Sequence, residues 1–236
     1  AKDVQYQTSD INANNILMLS GNNINLEASK LNANNQINLN AQNDVNILAL
    51  NSEYYRDTQT TTKGFMSKKT QRDMVYKESV NSAQLNANDI VINANNNVNL
   101  EASKLKAQDN IIVNAKDGDV NIIAKEYREG ELHERSKSSF GGLKKSVDIK
   151  AIDALRLNSA LLETQAANVV ITSGKDINIL ASEINSGADI QLKALNEVLI
   201  ASQEEYLKTK EVHEKSSFNI AGLSGLVAPV GGNIYS

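Results

Sequence analysis

The apolar residues of this chain recur on a fixed spacing that excludes most folds. Ile24-Asn25-Leu26, Ile37-Asn38-Leu39 and Val45-Asn46-Ile47 each place apolar residues at i and i+2, the period of a strand with one buried face. Ile24 and Val45 stand twenty-one residues apart, as do Ile16 and Ile37, and Ile177 and Val198. A helix would bring apolar residues back at i+3 and i+4, and dense Asn would weaken it. Segments such as Ala33-Asn34-Asn35, Asp117-Gly118-Asp119 and Ser173-Gly174-Lys175 lie between the runs and suit turns, because Asn and Gly tolerate left-handed backbone angles. About three short strands per twenty-one residues, repeated without helices, describe the rung of a β-solenoid.

Stacked rungs account for the unusual composition. Asn makes up roughly one residue in seven, yet it falls at regular offsets between Ile, Val and Leu rather than in low-complexity runs. Each strand would pair with its equivalent about 4.8 Å away, joining the inward residues into one core. Asn side chains at equivalent corners would form hydrogen-bonded ladders. Small residues such as Ala41 and Ala115 fit tight bends.

A longer period overlies the short one. "NNINLEASKL" at 22–31 returns as "NNVNLEASKL" at 96–105, and "KDINILASEI" at 175–184 keeps the apolar skeleton while its surface letters change. After each copy the chain changes character, over about 53–79, 126–149 and 205–232. Each of these segments opens on Glu-Tyr, turns Ser/Thr/Lys-rich and passes a Phe near a Gly: Phe65, Phe140 and Phe218. Alternating β-branched and charged residues around a Gly-containing centre predict a hairpin. The expectation is an all-β solenoid with three extruded β-hairpin arms at matching corners. Two arms in register would stack and bury Tyr54 or Tyr55 against Tyr127. The core is predicted at about seven rungs, or roughly 35 Å. Residues 153–167 show helix-like spacing, but Leu155 and Leu157 stand twenty-two residues before Ile177 and Ile179, which assigns the segment to the solenoid.

Charge and residue usage narrow the function classes. The net charge is −4, with both signs mixed along the chain. Neither a polybasic footprint nor an aromatic stacking surface points to nucleic acid as a partner. Absence of Cys excludes disulfides, thiolate catalysis and Cys-based zinc sites. No run of eighteen apolar residues and no signal peptide is visible. A chain that starts at Ala1 without Met reads as one β-helix piece, residues 1–236, of a longer protein.

Rungs of the form "NNINLEASKLNANNQINL", followed by an arm such as "YREGELHERSKSSFGGLKKS", resemble the haemagglutinin repeats of filamentous-haemagglutinin-type exoproteins. The rung-plus-arm unit is most similar to the second repeat region of contact-dependent growth-inhibition effectors; adhesins of the class carry similar repeats. The resemblance covers nearly the whole chain. It implies a right-handed parallel β-helix, export through an outer-membrane partner transporter, and residence at the surface or in the periplasm of a Gram-negative bacterium. It also implies contact with a target cell's outer membrane and with neighbouring repeats of the same polypeptide, in the service of toxin delivery.

The residues themselves offer little catalytic chemistry. His133 and His213 lie at corresponding arm positions, each followed by a Glu, Glu134 or Glu214, and the expected arrangement is a solvated stacked pair rather than a metal centre. No HExxH, P-loop or nucleophile elbow is present. A polysaccharide-cleaving β-helix would need two carboxylates in a cleft with aromatic sugar platforms. Here Asp44, Asp119 and Asp176 sit at turns of aromatic-poor rungs, which favours a ladder role. The recurrent Glu27/Glu101 and Lys30/Lys104 suggest surface ion pairs or solubility. The reading therefore assigns no catalytic residue, metal or cofactor. It names arm residues as the interaction candidates: Tyr54, Phe65, Tyr127, Phe140, Tyr206, Phe218, Leu223 and Leu226. The run "FNIAGLSGLVAPVGG" in the third arm has nearly the length of a membrane-spanning strand. Packing against a neighbouring repeat is its alternative role.

Overall fold

Alternating Ile, Val and Leu with Asn gives strands that bury one face, and strands dominate the computed structural model, which describes residues 1–217. The chain runs through β1 (Lys2–Val4), β2 (Asp10–Ser20), β3 (Ile24–Glu27), β4 (Lys30–Ala41) and β5 (Val45–Leu48). A long antiparallel pair follows, β6 (Leu50–Gly64) and β7 (Ser67–Asn81). Short strands then resume as β8 (Gln84–Ala87), β9 (Asp89–Ala94), β10 (Val98–Glu101), β11 (Lys104–Ala107), β12 (Ile111–Ala115) and β13 (Val120–Ile123). A second antiparallel pair is formed by β14 (Lys125–Ser139) and β15 (Lys144–Asn158). After it come β16 (Leu161–Thr164), β17 (Val169–Ser173), β18 (Ile177–Leu180), β19 (Glu183–Asn185), β20 (Ile190–Ala194), β21 (Val198–Ala201) and β22 (Tyr206–Ser217).

The short strands stack in parallel. One sheet runs β3-β5-β10-β13-β18-β21 in strict chain order. A second sheet carries two parallel files, β4-β8-β11-β16-β19 and β4-β9-β12-β17-β20, because β4 is long enough to pair with β8 through residues 30–32 and with β9 through 36–41. Each circuit of about three strands therefore lies on the previous one, an arrangement consistent with a β-helix. The ladder of the first sheet has six levels, one fewer than the sequence count predicts.

Register follows the apolar skeleton residue for residue. Val45, Val98, Val120 and Ile177 form one inward row, and Ile47, Leu100, Ile122 and Ile179 form the next. Most of these side chains have no exposed surface. Burying each stabilises the fold by about 1.5–3 kcal/mol. Sliding any strand by one residue would turn its whole apolar set to solvent, so the pattern fixes the pairing.

The Asn ladder expected at the corners forms there, with Asn96 donating to Asn43 and Asn43 to Asn23, and a longer one runs along the strands. The Asn46 Nδ2–H donates to Asn25 Oδ1 (2.7 Å), Asn99 to Asn46 (2.8 Å), Asn121 to Asn99 (2.8 Å) and Asn178 to Asn121 (2.9 Å). The file ends where Leu199 stands opposite Asn178. A further ladder explains the acidic turns. The Asp44 side chain accepts the backbone N–H of Asn97, Asn97 that of Asp119, Asp119 that of Asp176, and Asp176 that of Glu197. These side chains tie each turn to the next.

The duplicated ten residues prove to contain a corner. Ala28, Ala102 and Ala181 have φ of 42°, 43° and 44°, a left-handed conformation that residues with a Cβ seldom adopt. Each lets the chain turn tightly from the first sheet into the second. In the intervening circuits the same corner is opened instead. The chain leaves after Ala49 and returns at Ala83, then leaves after Ala124 and returns at Ala160, all four of which are buried.

One expectation needs correcting here. Residues 153–158 belong to the returning strand of the second excursion, where Leu155 pairs with Arg128 and Leu157 with Glu126; the stacked core resumes at Leu161. Their spacing to Ile177 and Ile179 misled because long β-strands share the period-two alternation of rung strands. The third excursion is described only as the single strand β22, since the segment beyond Ser217 lies outside the described residues.

Candidate interaction surface: the arm sheet

The excursions do not stand apart. Strands β1, β6, β7, β14, β15 and β22 form one continuous antiparallel sheet in that order. The reason is geometric. Excursions leave alternate circuits, about 9.6 Å apart at normal strand spacing, and a hairpin of two strands is about 9.6 Å wide. Each therefore meets the next edge to edge, and no unpaired edge separates them. β7 pairs with β14 over Ser67–Lys77, and β15 pairs with β22 over Lys144–Leu155.

Edge-to-edge joining corrects the expected stacking of tyrosines. Tyr54 lies on β6 opposite Lys77, and Tyr127 lies two strands away on β14 opposite Arg156. Tyr54 is exposed and Tyr127 half-buried. Tyr55 faces Tyr76 across its own hairpin instead. Tyr206 stands at the root of β22 opposite Leu155, with the Lys208 ammonium 4.4 Å from its ring centroid. Phe65 and Phe140 occupy the turns at the far end. Phe218, Leu223 and Leu226 lie outside the described residues.

Polar pairs fasten the sheet across its two internal borders. His133 Nδ1 lies 2.8 Å from Asp73 Oδ1, joining the second excursion to the first. His213 Nδ1 lies 2.8 Å from Asp148 Oδ1, joining the third to the second. His213 Nε2 also lies 2.9 Å from Glu211, which Lys150 approaches at 2.8 Å. The hydrogen bonds to Asp148 and Glu211 raise the His213 pKa above its ordinary value. In turn His213 lowers Asp148, His133 lowers Asp73, and Lys150, followed by His213, lowers Glu211.

The histidine pair expected from the sequence does not form: His133 on β14 stands opposite Lys150 and His213 on β22 opposite Asp148, with β15 between them. Nor does either pair with the Glu that follows it, as a metal reading would require, since successive residues of a strand point to opposite faces. Glu134 and Glu214 are thus turned away from the histidines they follow. Cross-strand partners sixty or more positions away could not be read from spacing.

Within the first hairpin, Arg72 grips Asp57 with two bonds of 3.1 and 2.7 Å, which lowers the carboxyl's pKa. Tyr76 donates to Glu78 at 2.5 Å, and that contact pushes the phenol up to about 12. Glu78 also accepts the Arg128 backbone N–H, and Asn51 reaches the Glu126 carbonyl, so the roots of adjacent excursions are tied as well. Glu101 pairs with Lys125 at the root of β14. Glu27, Lys30 and Lys104, the other members of the recurrent set, form no ion pair among the described residues.

Comparison with known proteins agrees with this architecture. The hemagglutinin repeat family matches residues 1–67 and 158–233, more than half of the chain. The chain belongs to that family. Among curated proteins, it is 24% identical over 227 residues to the hemolysin of Proteus mirabilis, covering 93% of this chain and 14% of that protein. It is 26% identical over 242 residues to the 16S rRNA endonuclease CdiA of Enterobacter cloacae, covering 95% of this chain and 7% of that one. A tRNA nuclease CdiA of Escherichia coli is 25% identical over 217 residues, with 85% and 7% covered. The chain thus spans a small fraction of the length of these relatives. No solved structure matches it.

Proposed function

We propose that this chain is a non-enzymatic repeat segment of a large exoprotein exported by two-partner secretion. It would form a right-handed parallel β-helix whose three arms engage a target cell's outer membrane during toxin delivery. In this reading an outer-membrane transporter exports the polypeptide to the surface of a Gram-negative bacterium, where the stacked circuits supply length and rigidity. The observation that carries it is the continuous arm sheet. A rod needs only its tight Ala corners, as at Ala102. Opening alternate corners to build a third sheet beside the rod indicates a task other than spacing. Support also comes from the family and from the relatives named CdiA, which are nucleases by name.

Binding of the chain to purified outer-membrane vesicles tests the reading. Loss of binding on deletion of residues 205–232 is expected, and unchanged binding would sink the role given to the third arm. An adhesin that binds host glycan or matrix is the second reading. Specific signals on a glycan array, without outer-membrane binding, would decide for it.

A further inference from the structure

The far end of the arm sheet carries a charge pattern that the sequence scatters over 150 positions. Lys69 on β7 stands directly opposite Lys137 on β14, which faces Ser146, which faces Lys215 on β22. On the other face Lys63 opposes Lys68, which faces Ser138, then Lys145, then Ser216. Lys144 completes the set in the outermost row, opposite Ser139 and Ser217. None of these seven lysines forms an ion pair among the described residues. No carboxylate stands in these three rows; the next row towards the core holds Glu214, opposite Val147. Residues 218–236 contain neither Asp nor Glu. Like charges directly across a ladder repel. In a chain with a net charge of −4, these seven lysines stand together at one end of the sheet.

Beyond this lysine belt sit exposed apolar side chains. Phe65 is 96% exposed and Met66 55% in the two-residue turn of the first hairpin, with Phe140 and Leu143 exposed in the turn of the second. Two-residue hairpin turns favour Asn-Gly or Asp-Gly because their angles require positive φ. Met66 holds φ of 54° in that turn, and Phe140 holds 52° at the start of the longer second turn, ahead of Gly141 and Gly142, a conformation that strains a residue with a Cβ. Large apolar residues placed in water and under backbone strain point to a use outside the fold.

We propose that the arm tips dock on an anionic lipid surface, with the lysine belt at the level of the headgroup phosphates and the Phe65, Met66, Phe140 and Leu143 crown entering the acyl boundary. A soluble polyanion would satisfy the lysines and leave the crown in water; a bilayer takes both layers at the depths at which the sheet presents them. The serine hydroxyls between the lysines add donors for phosphate oxygens. This rests on the membrane-engaging reading above and names the part of the arms that makes contact.

The test is cosedimentation of the full 236-residue chain with phosphatidylcholine vesicles, with and without phosphatidylglycerol. Binding is expected only with the anionic lipid and declines as salt screens the lysines. Replacing three lysines together (Lys69→Gln, Lys137→Gln and Lys215→Gln) should weaken partitioning about a hundredfold, from roughly fivefold per lysine near an anionic surface. Phe65→Ser with Phe140→Ser should weaken vesicle binding while leaving retention on immobilised polyphosphate unchanged. Far-UV circular dichroism establishes that each variant keeps its strands. Vesicle binding indifferent to both variants overturns the tip proposal, and so does loss of retention by polyphosphate in parallel with vesicles in the Phe variant. If tip variants still bind outer-membrane vesicles, the tips fail and the membrane reading survives. If the chain binds anionic vesicles but not outer-membrane vesicles, the tips stand and that reading fails.

Discussion

The stacked core and the arm sheet are both β, yet opposite rules hold them. In the core, strands run parallel, inward side chains of the middle levels are buried, and polar contacts repeat the same Asn or Asp from circuit to circuit. In the arm sheet, β6, β7, β14, β15 and β22, of twelve to fifteen residues, pair antiparallel, and few side chains are buried: Ala154 is the one fully buried apolar residue on these long strands. Side-chain contacts there involve charge, with a His–Asp pair at each internal border. The core derives its stability from burial, whereas the arm sheet derives its order from backbone ladders and its distinctiveness from surface chemistry. A repeating core tolerates drift in its outward letters; the arm sheet keeps its information in those letters.

The largest break of this comparison lies at the core centre. Ile122→Ala should cost about 2–5 kcal/mol in urea unfolding, from lost burial and the cavity left behind. Ile200→Ala, in the sixth level where the side chain is 68% exposed, should stay within about 0.5 kcal/mol. Equal costs at the two positions would show that the core is not graded by burial. Next comes Gly174→Ala: a Cβ there would sit 2.0 Å from the Lys116 carbonyl of the circuit below. Forcing those turns apart should cost about 1–3 kcal/mol, seen as a lower unfolding midpoint. Asn121→Ala removes one bond given to Asn99 and one taken from Asn178. A loss of about 1 kcal/mol is expected. Tyr54 belongs to no such ladder and is exposed on the first hairpin, so Tyr54→Ala should leave the midpoint nearly unmoved.

The smallest effect separates the two regions by pH. His213 has a raised pKa, so its contribution is complete below the ordinary value of 6.5 and disappears as pH climbs through the raised one. Asp148 and Glu211 have lowered values, so theirs is present above the ordinary carboxylate range and is lost as pH falls through the lowered ones. Lys150, Arg135, Lys215 and Lys137 are the cations around the same cluster. Hydrogen exchange at the β15–β22 border should therefore be slowest at mildly acidic pH and speed up, after correction for intrinsic rates, as His213 deprotonates. His213→Gln should abolish that acceleration while the core amides of β13 remain unaffected.

Most of the core was legible in the residues. Ile24, Ile37 and Val45 announce the strands and their period, and the turns announce themselves through Asn, Asp and Gly. The positive φ of Ala28 and Ala102 was not legible, because nothing in Glu-Ala-Ser marks a left-handed corner until stacking leaves no room for a larger residue. The arm surface was legible only in outline. Phe65 and Phe140 stood out as turn residues, but His133–Asp73 and Lys69–Lys137 join residues from different repeats and carry no local signature.

The sequence by itself determined that strands form, how often they recur and which face each one buries, because period-two alternation and the twenty-one-residue spacing are local properties of the chain. Only the tertiary structure decided that the excursions merge into one sheet. Two circuits rise by about the width of one hairpin, so each arm finds its neighbour's edge at pairing distance. That coincidence of lengths exists only once the core has stacked. It gathers seven lysines from three excursions at one end of the molecule.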